Sequence, residues 1–265
     1  MTKEVLYIVK VGGQVVNDSG MMTDFLASFQ KLEGLKILVH GGGKLATQLA
    51  SDLGVPVTMI DGRRVTDQEV IRIVTMAYAG EANKRIVAQL QALGCNALGL
   101  TGADGNLIES SLRAPLNGID YGLIGEPNKV NTILLNKLLS SDFVPVIAPL
   151  THDKKGQLLN LNADTIASTL AKAMSTLYDV SLIYAFELTG VLKDIADPSS
   201  MIKSINRAEF EDMKMEKIIH SGMLPKLENA LTVVESGVGK VGICKYDKIG
   251  EMAVAEFNEY TRIYA

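Results

Sequence analysis

Val5-Leu6-Tyr7-Ile8-Val9-Lys10-Val11-Gly12-Gly13 opens the chain with a β-branched, apolar run that ends on a lysine and a pair of glycines. The run reads as a strand buried on both faces, as in parallel sheets covered by helices. Glycines at the strand end let backbone N–H groups approach an anion closely. A lysine at the carboxyl end of such a strand stands at the mouth of an open α/β sheet, where these folds bind ligands. A solvated strand end is the alternative for Lys10; the glycine pair favours the ligand.

The pattern recurs twice. Lys36-Ile37-Leu38-Val39-His40 is a second strand, followed by Gly41-Gly42-Gly43-Lys44 and a helix over 44–53. Gly222-Met223-Leu224-Pro225-Lys226 opens a helix over 223–236. A helix N-terminus after a glycine turn adds its positive end to an anion site. A lysine in a first helical turn is electrostatically unfavourable, so Lys226 fits a phosphate-meeting role. Lysines at these turns point to a phosphate that is moved. The triple glycine is not a P-loop, since positions 38 and 45 are both leucine where that motif needs Gly and Ser or Thr. His40 reads as a hydrogen-bonded strand-end residue.

Strand and helix patterns alternate along the rest of the chain. Helices are expected over 22–32, 66–93, 165–174 and 207–215, and strands over 97–100, 144–148, 180–184 and 240–244. Residues 57–65 read as a hairpin turning at Asp61-Gly62, and 107–125 as further hairpins. Thr66-Asp67-Gln68-Glu69 reads as a capping box with Thr66 as the cap. The alternation predicts an α/β fold with a mainly parallel open sheet sandwiched by helices. No Pro/Ser-rich linker divides it, which predicts two lobes, 1–175 and 176–265, sharing one sheet.

Two polar clusters complete the motifs. Arg64, beside the hairpin turn, has the planar fork that grips a carboxylate, while Arg63 points to the opposite face. Asn160-Leu161-Asn162-Ala163-Asp164 ends a strand-like segment and opens a helix. If it stays extended, Asn160, Asn162 and Asp164 face one way and suit a polar ligand. Asn162 or Asp164 can also simply cap the helix. Gly237-Val238-Gly239-Lys240-Val241-Gly242 matches a dinucleotide fingerprint in letters, but it leads from a helix into a strand, the reverse of the required context.

Composition narrows the classes. Of the 265 residues 47% are apolar, enough for a large core. The 26 Lys and Arg against 30 Asp and Glu give a net charge of −4, which disfavours a nucleic-acid or anionic-membrane surface. No stretch reaches the ~18 apolar residues of a membrane span, and the N-terminus lacks a signal-peptide pattern. The two cysteines read as buried free thiols, and three scattered histidines predict no metal site. A cytoplasmic protein is expected.

Together these segments resemble the amino-acid kinase family, and within it the kinases of N-acylated glutamate. The resemblance runs through 8–13, 39–43, Gly62-Arg63-Arg64-Val65-Thr66, Ala82-Asn83-Lys84, 160–164, 188–192 and 222–226, nearly the whole chain. It implies the carbamate kinase-like fold and ATP-dependent phosphorylation of the γ-carboxylate of N-acetyl-L-glutamate, with Mg2+ carried by ATP. It further implies that Lys10 and Lys226 stabilise the transferring phosphoryl and that Asp164 holds both lysines. Gly12, Gly13, Gly42 and Gly43 would donate backbone N–H bonds to phosphoryl and substrate; Arg64, Asn160 and Asn162 would bind the acylated glutamate. Glu187, Leu188, Thr189, Gly190, Val191 and Leu192, with Ile218, Ile219 and His220, would line the nucleotide pocket. The first lobe would then serve acylglutamate binding and dimerisation, and the second would bind nucleotide. The chain starts at its first strand, without the N-terminal helix of arginine-inhibited members. A homodimer without an arginine-linked hexamer is therefore expected. Arg63 replaces a frequent leucine, and an extra cation there suits an additional carboxylate, as in N-succinylglutamate. Other readings are a family member with a different acid acceptor, or a silent sensor of amino acid or nucleotide.

Overall fold

The computed structural model describes residues 3–60, 63–219, 223–254 and 257–265. The chain forms two compact units, Met1–Leu38 with Ala167–Ala265, and Val39–Ile166. It passes between them within the strand Leu35–His40 and again within the helix Ala163–Met174. Residues 3–38 group with the C-terminal part because Val5–Val11 pairs in parallel with Asp179–Phe186, Lys10 lying opposite Tyr184.

In that first unit Asp179–Phe186 also pairs in parallel with Lys240–Lys245. Tyr260–Ile263 then joins Lys240–Lys245 antiparallel, and Ser204–Ile205 adds to it in parallel. The central strands read as continuous apolar runs because both faces are covered; Leu6, Ile8, Leu182, Ile183 and Ile243 are fully buried. Helix Ser19–Lys31 presents Met22, Phe25, Leu26 and Phe29 to the core. It starts three residues earlier than periodicity suggests because the Asp18 side chain accepts from the Met21 N–H. Its far end is closed by the buried Lys36, whose ammonium donates to the carbonyls of Phe29, Gln30 and Leu32 at 3.1, 2.9 and 2.6 Å. Helix Arg207–Met215 carries a true capping box, Asn206 with Glu209.

The second unit is built on one long helical run, Gln68–Val74, Thr75–Ala82 and Asn83–Ala92, whose middle segment is a π-helix. Val70, Val74 and Ala77 of this run pack with Ala46 and Ala50 of helix Gly43–Asp52. Ala97–Leu100 and Val144–Ile147 pair in parallel. A second, mostly antiparallel sheet runs in the order Leu158–Asn160, Leu150–His152, Ile108–Leu112, Gly125–Val130. The expected hairpins over 107–125 become one wide pairing of Ile108–Leu112 with Gly125–Val130. The connection folds back at Asn117 and Gly118, both at positive φ. Met59–Ile60 and Arg63–Arg64 are antiparallel as expected of a hairpin; its turn at Asp61-Gly62 lies outside the described residues.

One expectation fails here. Thr66 does not cap the long helix; Asp67 does, accepting from the Val70 N–H at 2.8 Å. Thr66 is instead fully buried, its hydroxyl donating to the Arg64 carbonyl at 3.0 Å. The letters allow either residue to cap, and the demand for a buried hydroxyl behind Arg64 decides. Asp67→Ala is expected to cost about 1 kcal/mol, the usual worth of an N-cap. Glu69→Ala should cost less, and urea denaturation of the two variants checks the order.

Candidate functional site

In the first unit, Lys10 is the last residue but one of its strand, with only 8% of its surface exposed. Gly12 follows, but its N–H donates to the Ala185 carbonyl at 3.2 Å and so belongs to the strand ladder. The expected donation from Gly12 to a phosphoryl is therefore replaced by a ladder bond, because the parallel pairing runs on to Val11, two residues past the apolar run 5–9. Gly13 begins the short helix Gly13–Asn17, where the first N–H groups have no intrahelical acceptor.

A cleft of about 200 Å³ lies in the same unit, lined by Phe186, Glu187, Leu188, Val191, Leu192, Ile195, Ile219, Met223 and Lys226. Six of the ten residues that the sequence suggests for a nucleotide site or its phosphate lysine are therefore gathered here: Glu187, Leu188, Val191, Leu192, Ile219 and Lys226. Thr189, Gly190 and Ile218 do not line it. His220 lies outside the described residues, as does Gly222. Gly190 instead supports the cleft from behind, because a Cβ there would meet the Thr261 hydroxyl at 2.6 Å and the Met201 sulfur at 2.9 Å. The Lys226 ammonium sits 4.8 Å from the centre of the Phe186 ring, a cation–π distance. Apolar walls with one carboxylate and one ammonium suit a flat, mostly apolar base attached to an anionic tail.

In the second unit the polar residues converge around the triple-glycine turn. Gly42 is the N-cap of helix Gly43–Asp52, and no side chain caps that end. A Cβ on Gly43 would meet nothing within 4 Å, so the space beside its Cα is open, and the first N–H groups of the helix have no intrahelical acceptor. The 7%-exposed Arg64 donates through Nη2 to the Gly43 carbonyl and the Thr47 hydroxyl, both at 2.9 Å. Its Nη1 is buried and makes no hydrogen bond among the described residues, while the guanidinium also interacts with the Tyr78 phenol beside it. Asn160, also buried, donates through Nδ2 to the Thr66 hydroxyl at 3.1 Å, while its Oδ1 has no partner among the described residues. A chain of bonds thus runs from Asn160 through Thr66 to the Arg64 carbonyl, and leaves one N–H donor and one oxygen acceptor unsatisfied. Such groups are costly to bury unless a ligand completes them.

The strand ends at Asn160, so Asn162 and Asp164 do not continue an extended face. Asn162 is exposed and accepts from the Asp164 N–H at 2.8 Å, the capping role. Asp164 is buried in the first turn of helix Ala163–Met174. Arg63 is exposed, its guanidinium 5.9 Å from the centre of the Tyr121 ring.

His40 is fully buried beneath the same turn. Its Nδ1 lies 2.9 Å from the Gly41 carbonyl and its Nε2 3.1 Å from Nδ2 of Asn83, so Nδ1 carries the proton and Nε2 accepts. Burial pushes the imidazole down to about 4, with the bond to Gly41 opposing and the Lys84 ammonium adding to the fall. The unfolded chain, with an ordinary value near 6.5, takes up this proton first. Stability is therefore complete above pH ~6.5 and declines as pH falls toward ~4, by about 3 kcal/mol in all. Urea midpoints at pH 7 and pH 4.5 should show the loss, and His40→Asn should flatten it.

Tyr78 carries no motif in the sequence, and Asn83 enters only through the Ala82-Asn83-Lys84 segment of the resemblance, with no role attached to it. Tyr78 lies against Gly42, and Asn83 holds His40; the sequence signal for Tyr78 is membership of the helix that follows the Arg64 hairpin. Among the described residues no group of three or more potential metal ligands occurs, and no helix is long and apolar enough to cross a membrane.

A strand-end lysine, glycine turns opening helices, a cleft with one ammonium and a separate carboxylate fork are the parts of a small-molecule phosphotransferase. The model of the amino acid kinase family matches residues 6–245, and the chain belongs to that family. It is 49% identical over 247 residues to the acetylglutamate kinase of Cytophaga hutchinsonii, covering 93% of this chain and 94% of the relative. It is 48% identical over 261 residues to the acetylglutamate kinase of Bacteroides thetaiotaomicron, covering 98% and 99%. Among solved structures it is similar to carbamate kinase from Giardia lamblia bound to AMP-PNP. The TM-score is 0.70 at 12% identity, over 100% of this chain and 99% of that one, a likeness of fold alone.

Proposed function

We infer that this chain phosphorylates the γ-carboxylate of N-acetyl-L-glutamate with ATP, giving N-acetylglutamyl 5-phosphate and ADP, a step toward arginine. The carrying observation is the unsatisfied pair in the second unit, Nη1 of Arg64 and Oδ1 of Asn160. A guanidinium N–H suits the α-carboxylate of an amino acid, and an amide oxygen suits the N–H that an acylated amine retains. The nearly full-length relatives named acetylglutamate kinase support the same acceptor.

In the reaction a γ-carboxylate oxygen forms a bond to the γ-phosphorus as the bridging oxygen leaves with ADP. The carboxylate is already ionised at pH 7, so no proton has to be removed. Catalysis then rests on positioning and on neutralising charge on the equatorial oxygens. We assign that charge role to Lys10 and Lys226. Gly13 offers N–H donors to the phosphoryl group, and Gly42 and Gly43 offer theirs to the substrate. The Phe186–Lys226 cleft would receive the nucleotide. Mg2+ bound through phosphates needs only one or two protein carboxylates, and Glu187 at the cleft is one. Held by the nucleotide and Glu187, such an ion would supply charge neutralisation on the phosphates. Asp164 would compensate lysine charge. Cytoplasmic action as a homodimer fits a soluble supply of ATP and the apolar Met76 and Leu93 exposed on the long helical run; light scattering with and without arginine tests the assembly.

A second acceptor rests on one observation: exposed Arg63 adjoins Arg64 on the hairpin, its guanidinium 5.9 Å from the Tyr121 ring centre and on the other face of the strand. A cation there suits the extra carboxylate of N-succinylglutamate. The test is ATP-dependent acyl-phosphate formation, trapped with hydroxylamine, on N-acetylglutamate, N-succinylglutamate and free glutamate. Product from N-acetylglutamate supports the first reading, and product from N-succinylglutamate alone replaces it. Silence on all three overturns both.

A further inference from the structure

The π-helical segment Thr75–Ala82 is an expensive way to build a helix, since its wider turn packs less well than an α-helix and tends to persist at functional places. Its position coincides with two contacts to the triple-glycine turn. Tyr78, 6% exposed, lies so close beneath Gly42 that a Cβ on Gly42 would stand 2.7 Å from its Cδ1 and 3.0 Å from its Cε1. Asn83, 1% exposed, donates through Nδ2 to His40 Nε2 and to the Val146 carbonyl, at 3.1 and 2.9 Å. His40 in turn donates to the Gly41 carbonyl. Gly41 and Gly42 are thus braced by side chains of one helical run, through an imidazole in one case and directly in the other.

The spacing explains the π turn. Five residues along an α-helix are about 140° apart around the axis, on different faces. Here the Asn83 N–H donates to the Tyr78 carbonyl, five residues back, which closes the wide turn and brings the two side chains to one face. Without the extra residue in that turn, Tyr78 and Asn83 could not both reach the glycine loop. We propose that the Tyr78–Asn83 π turn is a positioning device that holds the His40–Gly43 turn in the shape that receives the acylated amino acid. The ligand in this statement rests on the proposed function; the bracing of the loop does not.

Asn83 acts through His40, and Tyr78 through Gly42 and Arg64, so both are positioning residues. Misplacing a substrate-binding turn by a fraction of an ångström weakens acceptor binding without removing a catalytic group. A merely destabilised enzyme would instead lose active fraction, lowering kcat at unchanged KM. Tyr78→Ala and Asn83→Ala are each expected to raise KM for N-acetylglutamate about tenfold, with KM for ATP within about twofold of the parent. Because both act on one loop, the double variant should fall short of the product of the two effects. Tyr78→Phe, which keeps the ring under Gly42 and loses only the phenol's interaction with Arg64, should restore the part of the loss that the loop brace carries.

A second readout does not depend on turnover. Amide hydrogen exchange of residues 40–46 in the intact protein should quicken at least about tenfold in both alanine variants and far less in Tyr78→Phe. If Tyr78→Ala does not fold, Tyr78→Val, with a smaller void, takes its place. Unchanged exchange across 40–46 in both variants overturns the proposal, and so does an equal rise of both KM values. An inactive parent whose exchange still responds would overturn the substrate reading and leave the brace standing.

Discussion

Replacing Lys10 with alanine is expected to lower kcat by about 10²–10³ while KM for the acceptor stays within a few-fold, the usual effect of removing one donor aimed at transition-state charge. Lys10 stands at the carboxyl end of the first strand, opposite Tyr184, and its side chain is largely enclosed. An ammonium held there works in a poor dielectric, where its attraction for a phosphoryl oxygen is stronger than in water. Charge on the equatorial oxygens changes most in the transition state, so the loss should appear in kcat. Lys10→Arg should recover little, because a planar fork does not replace a compact ammonium. Initial rates of hydroxylamine-trapped product at saturating ATP and acceptor measure this directly. A raised KM at unchanged kcat would make Lys10 a ground-state binding group.

Arg64→Leu should act on the acceptor side, lowering kcat/KM for the acylated glutamate by about 10²–10³, the cost of truncating a buried, hydrogen-bonded charge. Two losses combine. The guanidinium anchors the start of the helix Gly43–Asp52 by bonding the Gly43 carbonyl and the Thr47 hydroxyl. Its second nitrogen, buried and unsatisfied among the described residues, is the one left for a carboxylate. Arg64→Lys cannot reproduce both, since one ammonium would have to serve the helix and the ligand at once. The lysine variant should therefore keep the fold, by circular dichroism, yet lose at least about tenfold in kcat/KM. KM for ATP should not move in either variant. An unchanged acceptor KM in Arg64→Leu would remove Arg64 from the site.

Much of this was legible because it is local. The buried strands announce themselves as apolar runs, and the helices Gly43–Asp52, Arg207–Met215 and Leu224–Glu235 lie within a residue or two of their periodic patterns. Glycines at strand ends are equally visible, since few other residues permit such turns. Reading failed where two adjacent residues could serve the same local need. Thr66 and Asp67 can each cap a helix, and only the buried bond to Arg64 draws Thr66 away. For Asn160 and Asn162 two readings stand side by side, and the structure takes the capping one for Asn162, since only Asn160 remains in a strand.

Short-range patterns set the alternation of buried strands and amphipathic helices, the three glycine-and-lysine turns and the Arg64 fork, because each depends on neighbours a few residues away. Tertiary structure alone decided that the Gly12 N–H joins Ala185 and that Phe186, Ile195 and Met223 complete the cleft. It also decided that a π turn carries Tyr78 and Asn83 to the glycine loop. These outcomes follow from which backbone N–H groups find distant acceptors and which side chains fill a shared space. That competition is settled across tens of residues, and no local pattern of letters records it.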